Sequence, residues 1–220
     1  MTTDPKKQRE HDRRKGFFSR IAADFTTRAW VLIPIGIAIN FVGATLAEAL
    51  SLPLFLDSLG TMLIAILAGP WVAGLTGLLG NIIFGITVDP TALAFIPSAV
   101  ALGLVAGFLA RHGWLKSYLG IVGGGILLAL TSTIVSAPIV VMVFGGAGGS
   151  GVTAVRAVFM ASGAGIWQSV ASSQILVDLA DKLIQLFIAV TVARAVPSRY
   201  RPKAAQRSIA DRITVLPTKK

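Results

Sequence analysis

Cysteine is absent from these 220 residues, and histidine occurs only twice, at His11 and His112. The first absence excludes disulfides, thiolate metal ligands and a cysteine nucleophile. The second leaves no set of imidazoles from which to build a metal centre. Charge is scarce as well: 14% of the residues are Asp, Glu, Lys or Arg, where a soluble domain carries about 25%. There is no Gly-x-x-x-x-Gly-Lys-Ser/Thr loop and no His-Glu-x-x-His helix, so neither nucleotide-phosphate binding of that kind nor zinc peptidase chemistry is expected here. No Ser/His/acid set falls within the apolar runs. These absences point away from an enzyme and imply no cofactor.

What the chain has in abundance is apolar length. Hydrophobic residues make up 54%, and the mean hydropathy is +0.76. Six apolar stretches fill residues 29–196, several reaching the roughly 18–20 residues that cross a hydrocarbon core. The expectation is an all-α integral membrane protein with six transmembrane helices, near Ala29–Leu50, Leu54–Gly69, Trp71–Thr87, Thr91–Ala110, Ser117–Phe144 and Gln174–Val196. Between the last two, the glycine-rich run 145–151 leads into a short cap, Val152–Ser173, interrupted by Arg156, Gly163, Gly165 and Gln168.

The net charge of +10 sits at the ends, where residues 1–28 and 194–220 each hold eight Lys or Arg. In a chain this apolar such flanks mark the cytoplasmic side and rest against anionic membrane lipid rather than nucleic acid. The organisation expected is a basic cytosolic tail (1–28), a membrane domain (29–196) and a second basic cytosolic tail (197–220), multi-pass in a bacterial-type cell membrane. Trp30, Trp71 and Trp114 fall at the inner interface and Trp167 at the outer one, the belt positions such rings prefer.

With this threading Glu48, Asp57, Asp89, Asp178, Asp181 and Lys182 all fall toward the outer side. A charge at the bilayer centre costs roughly 2.5–3.5 kcal/mol on insertion scales, so intramembrane ionisable residues are functional candidates by default. The candidate solute site is Asp57, Asn81, Asp178, Asp181 and Glu48, with Arg156, Trp167 and Gln168 brought to it by the cap. Blander roles compete. Asp178 and Lys182, four apart, face each other on a helix. Asp57 suits the first turn of a helix, Glu48 can snorkel, and Asp89 before Pro90 suits a cap. Asp181 has only Gln185 as a partner within its helix and is freer to serve a ligand. An acidic site of this kind favours a neutral or cationic solute with an aromatic ring, and Arg156 entering it would favour an anion instead. Thr131, Ser132, Thr133 and Ser136 form a hydroxyl patch. Small residues at Gly43/Ala47, Gly74/Gly77/Gly80 and Ala99/Gly103/Gly107 allow close helix packing.

The run LPLFLDSLGTMLIAILAGPWVAGLTGLLGNIIFG from Leu52, the run DPTALAFIPSAVALGLVAGFLAR from Asp89 and the closing segment DKLIQLFIAVTVARAVP from Asp181 resemble the substrate-binding S components of energy-coupling factor (ECF) vitamin transporters. The resemblance implies capture of a vitamin or related small organic solute in an outward-facing pocket. It also implies partnership with a transmembrane coupling protein and two cytosolic ATPases that carry the ATP chemistry. The resemblance also implies docking through an Ala-x-x-x-Ala-type face on helix 1, to which Gly43-x-x-x-Ala47, near the outer end, is a loose match. A membrane sensor module and an autonomous ion-coupled carrier are the alternatives.

Overall fold

The computed structural model describes residues 21–22, 24–147 and 150–197, with no side-chain placement at 150–151. Among these residues there are seven α-helices and no strand: α1 Thr27–Ala49, α2 Leu59–Ala68, α3 Pro70–Thr87, α4 Ile96–Arg111, α5 Tyr118–Phe144, α6 Ser150–Ala161 and α7 Ile166–Ala195. A 3-10 turn, Pro90–Phe95, leads into α4. Most of the basic flanks, and Gly148 and Gly149 of the expected hinge, lie outside the described residues.

Among the described residues four segments are long and apolar enough to cross a membrane: Thr27–Ala49, Pro70–Thr87, Pro90–Arg111 and Tyr118–Phe144. Of the six transmembrane helices expected, the other two differ from a full-length apolar span. α2 has 10 residues and is about 15 Å long, half the thickness of a hydrocarbon core. α7 has 30 residues but carries Asp178, Asp181, Lys182 and Arg194. The second helix does not begin at Leu54. Ser51 and Leu56 take left-handed backbone angles, φ 49° and 50°, which a helix cannot contain, so residues 52–58 enter as irregular chain. Such backbone is tolerated at membrane depth only where protein satisfies its polar groups.

The boundary between cap and last helix also differs from expectation. α7 begins at Ile166, not Gln174, because the break is the glycine pair: Gly163 turns with φ 86° and Gly165 is the N-cap. Nothing from Ile166 to Ser173 interrupts a helix. α6 is therefore only Ser150–Ala161 and packs on α7.

The most extensive packing is α3 on α4 and α5 on α7. At the first, a methyl on Gly77 would meet the Ala99 carbonyl oxygen at 2.6 Å, and one on Gly103 would meet Ala73 backbone at 2.7 Å. The small-residue ladders are thus internal packing faces. The same holds for Gly43, whose added methyl would collide with the Leu56 carbonyl, and for Ala47, 3% exposed. The loose Gly43-x-x-x-Ala47 match therefore faces the inside of the bundle. One large apolar core, including Ile33, Met62, Ile64, Val72, Leu102, Leu128 and Leu186, fills the end of the bundle that carries Arg28, Arg111 and Arg194. Among the described residues the opposite end holds a small cluster of Ala137, Val140 and Val170, and there the bundle opens.

Candidate functional site

At that second end lies a cavity of about 270 Å³. It is bounded by the end of α1, the irregular segment before α2, the end of α3, the 3-10 turn, the start of α4, the far half of α5 and the first half of α7. Phe41, Phe55, Phe84 and Phe95 give it an apolar body. Phe41 and Phe84 meet edge-to-face at 5.4 Å. Asn40, Asn81, Ser98, Ser132, Ser136 and Gln174 supply neutral polar groups, and Glu48, Asp57, Asp89 and Lys182 the charges. A mainly apolar concavity with a few convergent polar groups is the form small-molecule sites take.

Of the expected site residues, Asp57, Asn81 and Glu48 line this cavity. Asn81 reaches across the α3–α4 turn, its Nδ2 donating to the Ala92 carbonyl at 3.1 Å. Asp89 also lines it while capping the 3-10 turn, accepting from Thr91 N at 3.0 Å and Thr91 Oγ1 at 2.6 Å.

Asp181 is placed differently. Fully buried, it does not line the cavity. Its Oδ1 accepts from the Phe55 and Leu56 amides at 3.1 and 3.0 Å. Its Oδ2 accepts from Lys182 Nζ and Gln185 Nε2, both at 2.6 Å. Gln185 Oε1 in turn accepts from Ser58 N at 2.9 Å, and Asn40 Oδ1 accepts from Gly60 and Thr61 amides at 2.7 and 3.1 Å. Three polar side chains from α1 and α7 thus serve the orphan N–H groups of the irregular segment and of the α2 N-terminus. Asp181 is not free for a ligand. Its acceptors are used by the fold.

The Asp178–Lys182 pair expected from their spacing does not form. Lys182 pairs with Asp181 at 2.6 Å and with Asp57 at 3.5 Å, its ammonium 5.7 Å from the Phe55 ring centroid. Lys182 is almost wholly buried, whereas the Asp57 side chain is 46% exposed. The ammonium lies between Asp181 of its own helix and Asp57 of the irregular segment before α2. Asp178, fully buried, instead accepts from Thr133 Oγ1 at 2.9 Å. The hydroxyl patch of α5 divides accordingly. Thr131 back-bonds to Leu127 O at 2.8 Å, Thr133 serves Asp178, and Ser132 and Ser136 line the cavity.

Arg156, Trp167 and Gln168 do not line the cavity. Trp167 is 53% exposed at the start of α7, and Gln168 is exposed beside it. Their displacement follows from α7 beginning eight residues earlier than expected. Arg156, 2% exposed, is a tether: Nη1 donates to the Gly146 carbonyl at 2.6 Å and Nε to Ser173 Oγ at 3.4 Å. Its burial pulls the guanidinium pKa below its ordinary value. It fastens α6 to both the glycine turn and α7. The cap meets the cavity through Val152 instead. The i+4 contact of Gln185 with Asp181, legible from their spacing, forms, whereas no local pattern marks the phenylalanines or Gln174, since apolar and amide residues at helical spacing look like core.

Asp24 and Arg111 join the opposite ends of the first and fourth helices at 2.6 Å. Burial pushes the Asp24 carboxyl above its usual range, with Arg111 pulling the other way.

No curated protein and no solved structure matches the chain. The family model described as "ECF transporter, substrate-specific component" matches residues 28–193, which take in the whole bundle from α1 to the last turn of α7. The apolar spans and this match agree: the chain belongs to the substrate-specific components of ECF transporters, multi-pass membrane subunits that bind the solute and are not themselves ATPases.

Proposed function

We propose that the 270 Å³ cavity is the solute pocket of this S component and that it takes up a vitamin or related small organic solute from outside the cell. The observation that carries this is the cavity itself, four phenylalanines wide and edged by Asp57, Asn81 and Glu48. The topology that serves it has six crossings and both termini cytoplasmic, with the short α2 and its irregular approach together making the second crossing. In support, Arg28, Arg111, Lys116 and Arg194 all lie at the end remote from the cavity, the cytoplasmic end by the positive-inside rule. A transmembrane coupling protein and two cytosolic ATPases then drive release. α6, tethered by Arg156, is the lid.

A thermal-shift screen of the purified protein against vitamins and their precursors tests this. A ligand at a hundred times its dissociation constant adds about 2.7 kcal/mol of stability. The stabilisation should shrink in Phe84→Ala and Asn81→Ala. Retention of full stabilisation in both would place the site elsewhere. Uptake by reconstituted protein should need the coupling partners and ATP; uptake without them would make the chain an autonomous carrier.

A further inference from the structure

α6 exposes an apolar face that the cavity does not use. At about 100° per residue, Val152, Arg156 and the half-buried Phe159 fall on the side turned to the bundle. Met160, Thr153, Ala157, Ala161, Ala154 and Val158 follow one another round the other side, over about 160°. All six are exposed, Val158 at 70% and Met160 at 52%. Five of the six are apolar, and the one charged residue from Val152 to Gln168, Arg156, is turned inward. The apolar surface continues at both ends of the helix. Met142 and Val143, in the last turn of α5, are 77% and 62% exposed, and Ile166 and Trp167, opening α7, are 38% and 53% exposed. A helix that turned this face to water would carry charged and polar residues on it.

Depth decides what covers this face. α5 and α7 have 27 and 30 residues, about 40 and 45 Å, against a hydrocarbon core of about 30 Å. A tilt of about 20° shortens them by only about 3 Å. Their ends remote from the cavity are level, Arg194 Nη2 donating to the Leu115 and Lys116 carbonyls at 3.3 Å, and the cations there belong among headgroups. The excess length therefore falls at the cavity end. There α6 joins the two helices, with Val152 on the cavity lining. Its 12 residues, about 18 Å, are too short to cross. We infer that α6 lies in the membrane interface at the cavity end, with the face that carries Ala157, Val158, Met160 and Ala161 seated on the acyl chains of that leaflet and Trp167 beside it at headgroup level. Acyl chains accept an uncharged face without asking for a matching side chain, and they already cover the exposed residues of α5 that lead into it. An interfacial helix ordinarily turns a charged face to water; here the charged face is turned to the bundle and fastened by Arg156 to the Gly146 carbonyl. α6 is thus held from two sides, and its movements run along the leaflet instead of lifting into water. This seating holds whether or not the cavity takes a solute.

The chain has no cysteine, so a nitroxide on one introduced thiol reports one site. Val158→Cys and Met160→Cys are labelled in the purified full-length protein and reconstituted in phosphatidylcholine–phosphatidylglycerol vesicles. Collisions of each label with oxygen, which partitions into lipid, are compared with collisions with a water-soluble nickel chelate. Ile134→Cys, 70% exposed on α5, is the lipid reference, and His112→Cys, exposed in the basic turn after α4, is the water reference. The oxygen-to-chelate ratio at both α6 sites should be several-fold above that at His112 and should approach that at Ile134. Ala157→Cys, in the middle of the same arc, carries the test should either variant not fold. A ratio no higher than that at His112, at either site, overturns the seating and turns the face to water. Labels shielded from both reagents, or broadened by a second nitroxide nearby, put protein on this face and overturn it as well.

Discussion

Replacing Asp181 by asparagine tests the claim that this carboxylate holds the fold and not the solute. The native side chain accepts four hydrogen bonds, two from backbone amides of the irregular segment, one from Lys182 and one from Gln185. Asparagine retains one acceptor oxygen but turns an NH2 toward two donors, and it leaves the buried Lys182 ammonium with only Asp57 at 3.5 Å. Breaking a buried ion pair from one side costs about 3–5 kcal/mol in soluble proteins. Polar groups of an unfolded membrane protein still find partners, which lowers such costs, so the loss expected is about 3 kcal/mol. The assay is equilibrium unfolding in mixed micelles, followed by helix content. Asp181→Asn with Lys182→Met should recover part of the loss, because the uncompensated charge is gone while the Phe55 and Leu56 amides still need an acceptor. Solute affinity in the single variant should stay within a few-fold of the parent. A loss below about 1 kcal/mol in Asp181→Asn, against the cost expected of a buried pair, would refute the structural role. A normal stability with abolished binding would return Asp181 to the solute site.

Gly60→Ala should destabilise by about 1–3 kcal/mol, the range for overpacking, because its methyl would run into the Gly36 carbonyl; Gly123→Ala, with nothing within 4 Å, should be neutral or stabilising by about 0.5–1 kcal/mol. The same unfolding assay reads both. Arg156→Gln should speed hydrogen exchange across α6 by releasing the Gly146 carbonyl and Ser173, and saturating solute should slow that exchange in the parent. Equal exchange in parent and variant would remove the tether. Asp24 gives a pH dependence. Its folded pKa lies above the ordinary 3.8 through burial, so the native state binds more protons in the interval between the two values. Stability therefore falls as pH rises from about 4 through the folded pKa. Asp24→Asn should flatten that slope.

Much was legible in the amino-acid sequence alone because it depends on local quantities. Apolar length and basic flanks mark the membrane helices, and the paucity of Cys and His removes whole chemistries before any fold is considered. Asp89 as a cap and Thr131 as a back-bonded hydroxyl follow from neighbours two to four residues away. The S-component family too was readable from the runs after Leu52 and Asp89. What only the tertiary structure decided are the contacts between residues far apart in the chain. Asp181 meets the amides of residues 55 and 56 across about 125 positions, and Lys182 pairs with Asp181 and Asp57 rather than with the helical neighbour Asp178, α2 beginning late so that its approach segment lies against α7. The short α2 is itself a tertiary outcome. Its sequence is apolar enough for a longer helix, and the alternative is stable only because carboxylate and amide groups of α1 and α7 stand where its unpaired N–H groups need them. Hydropathy measures the cost of putting a residue in lipid; it contains no term for a partner that arrives from another helix.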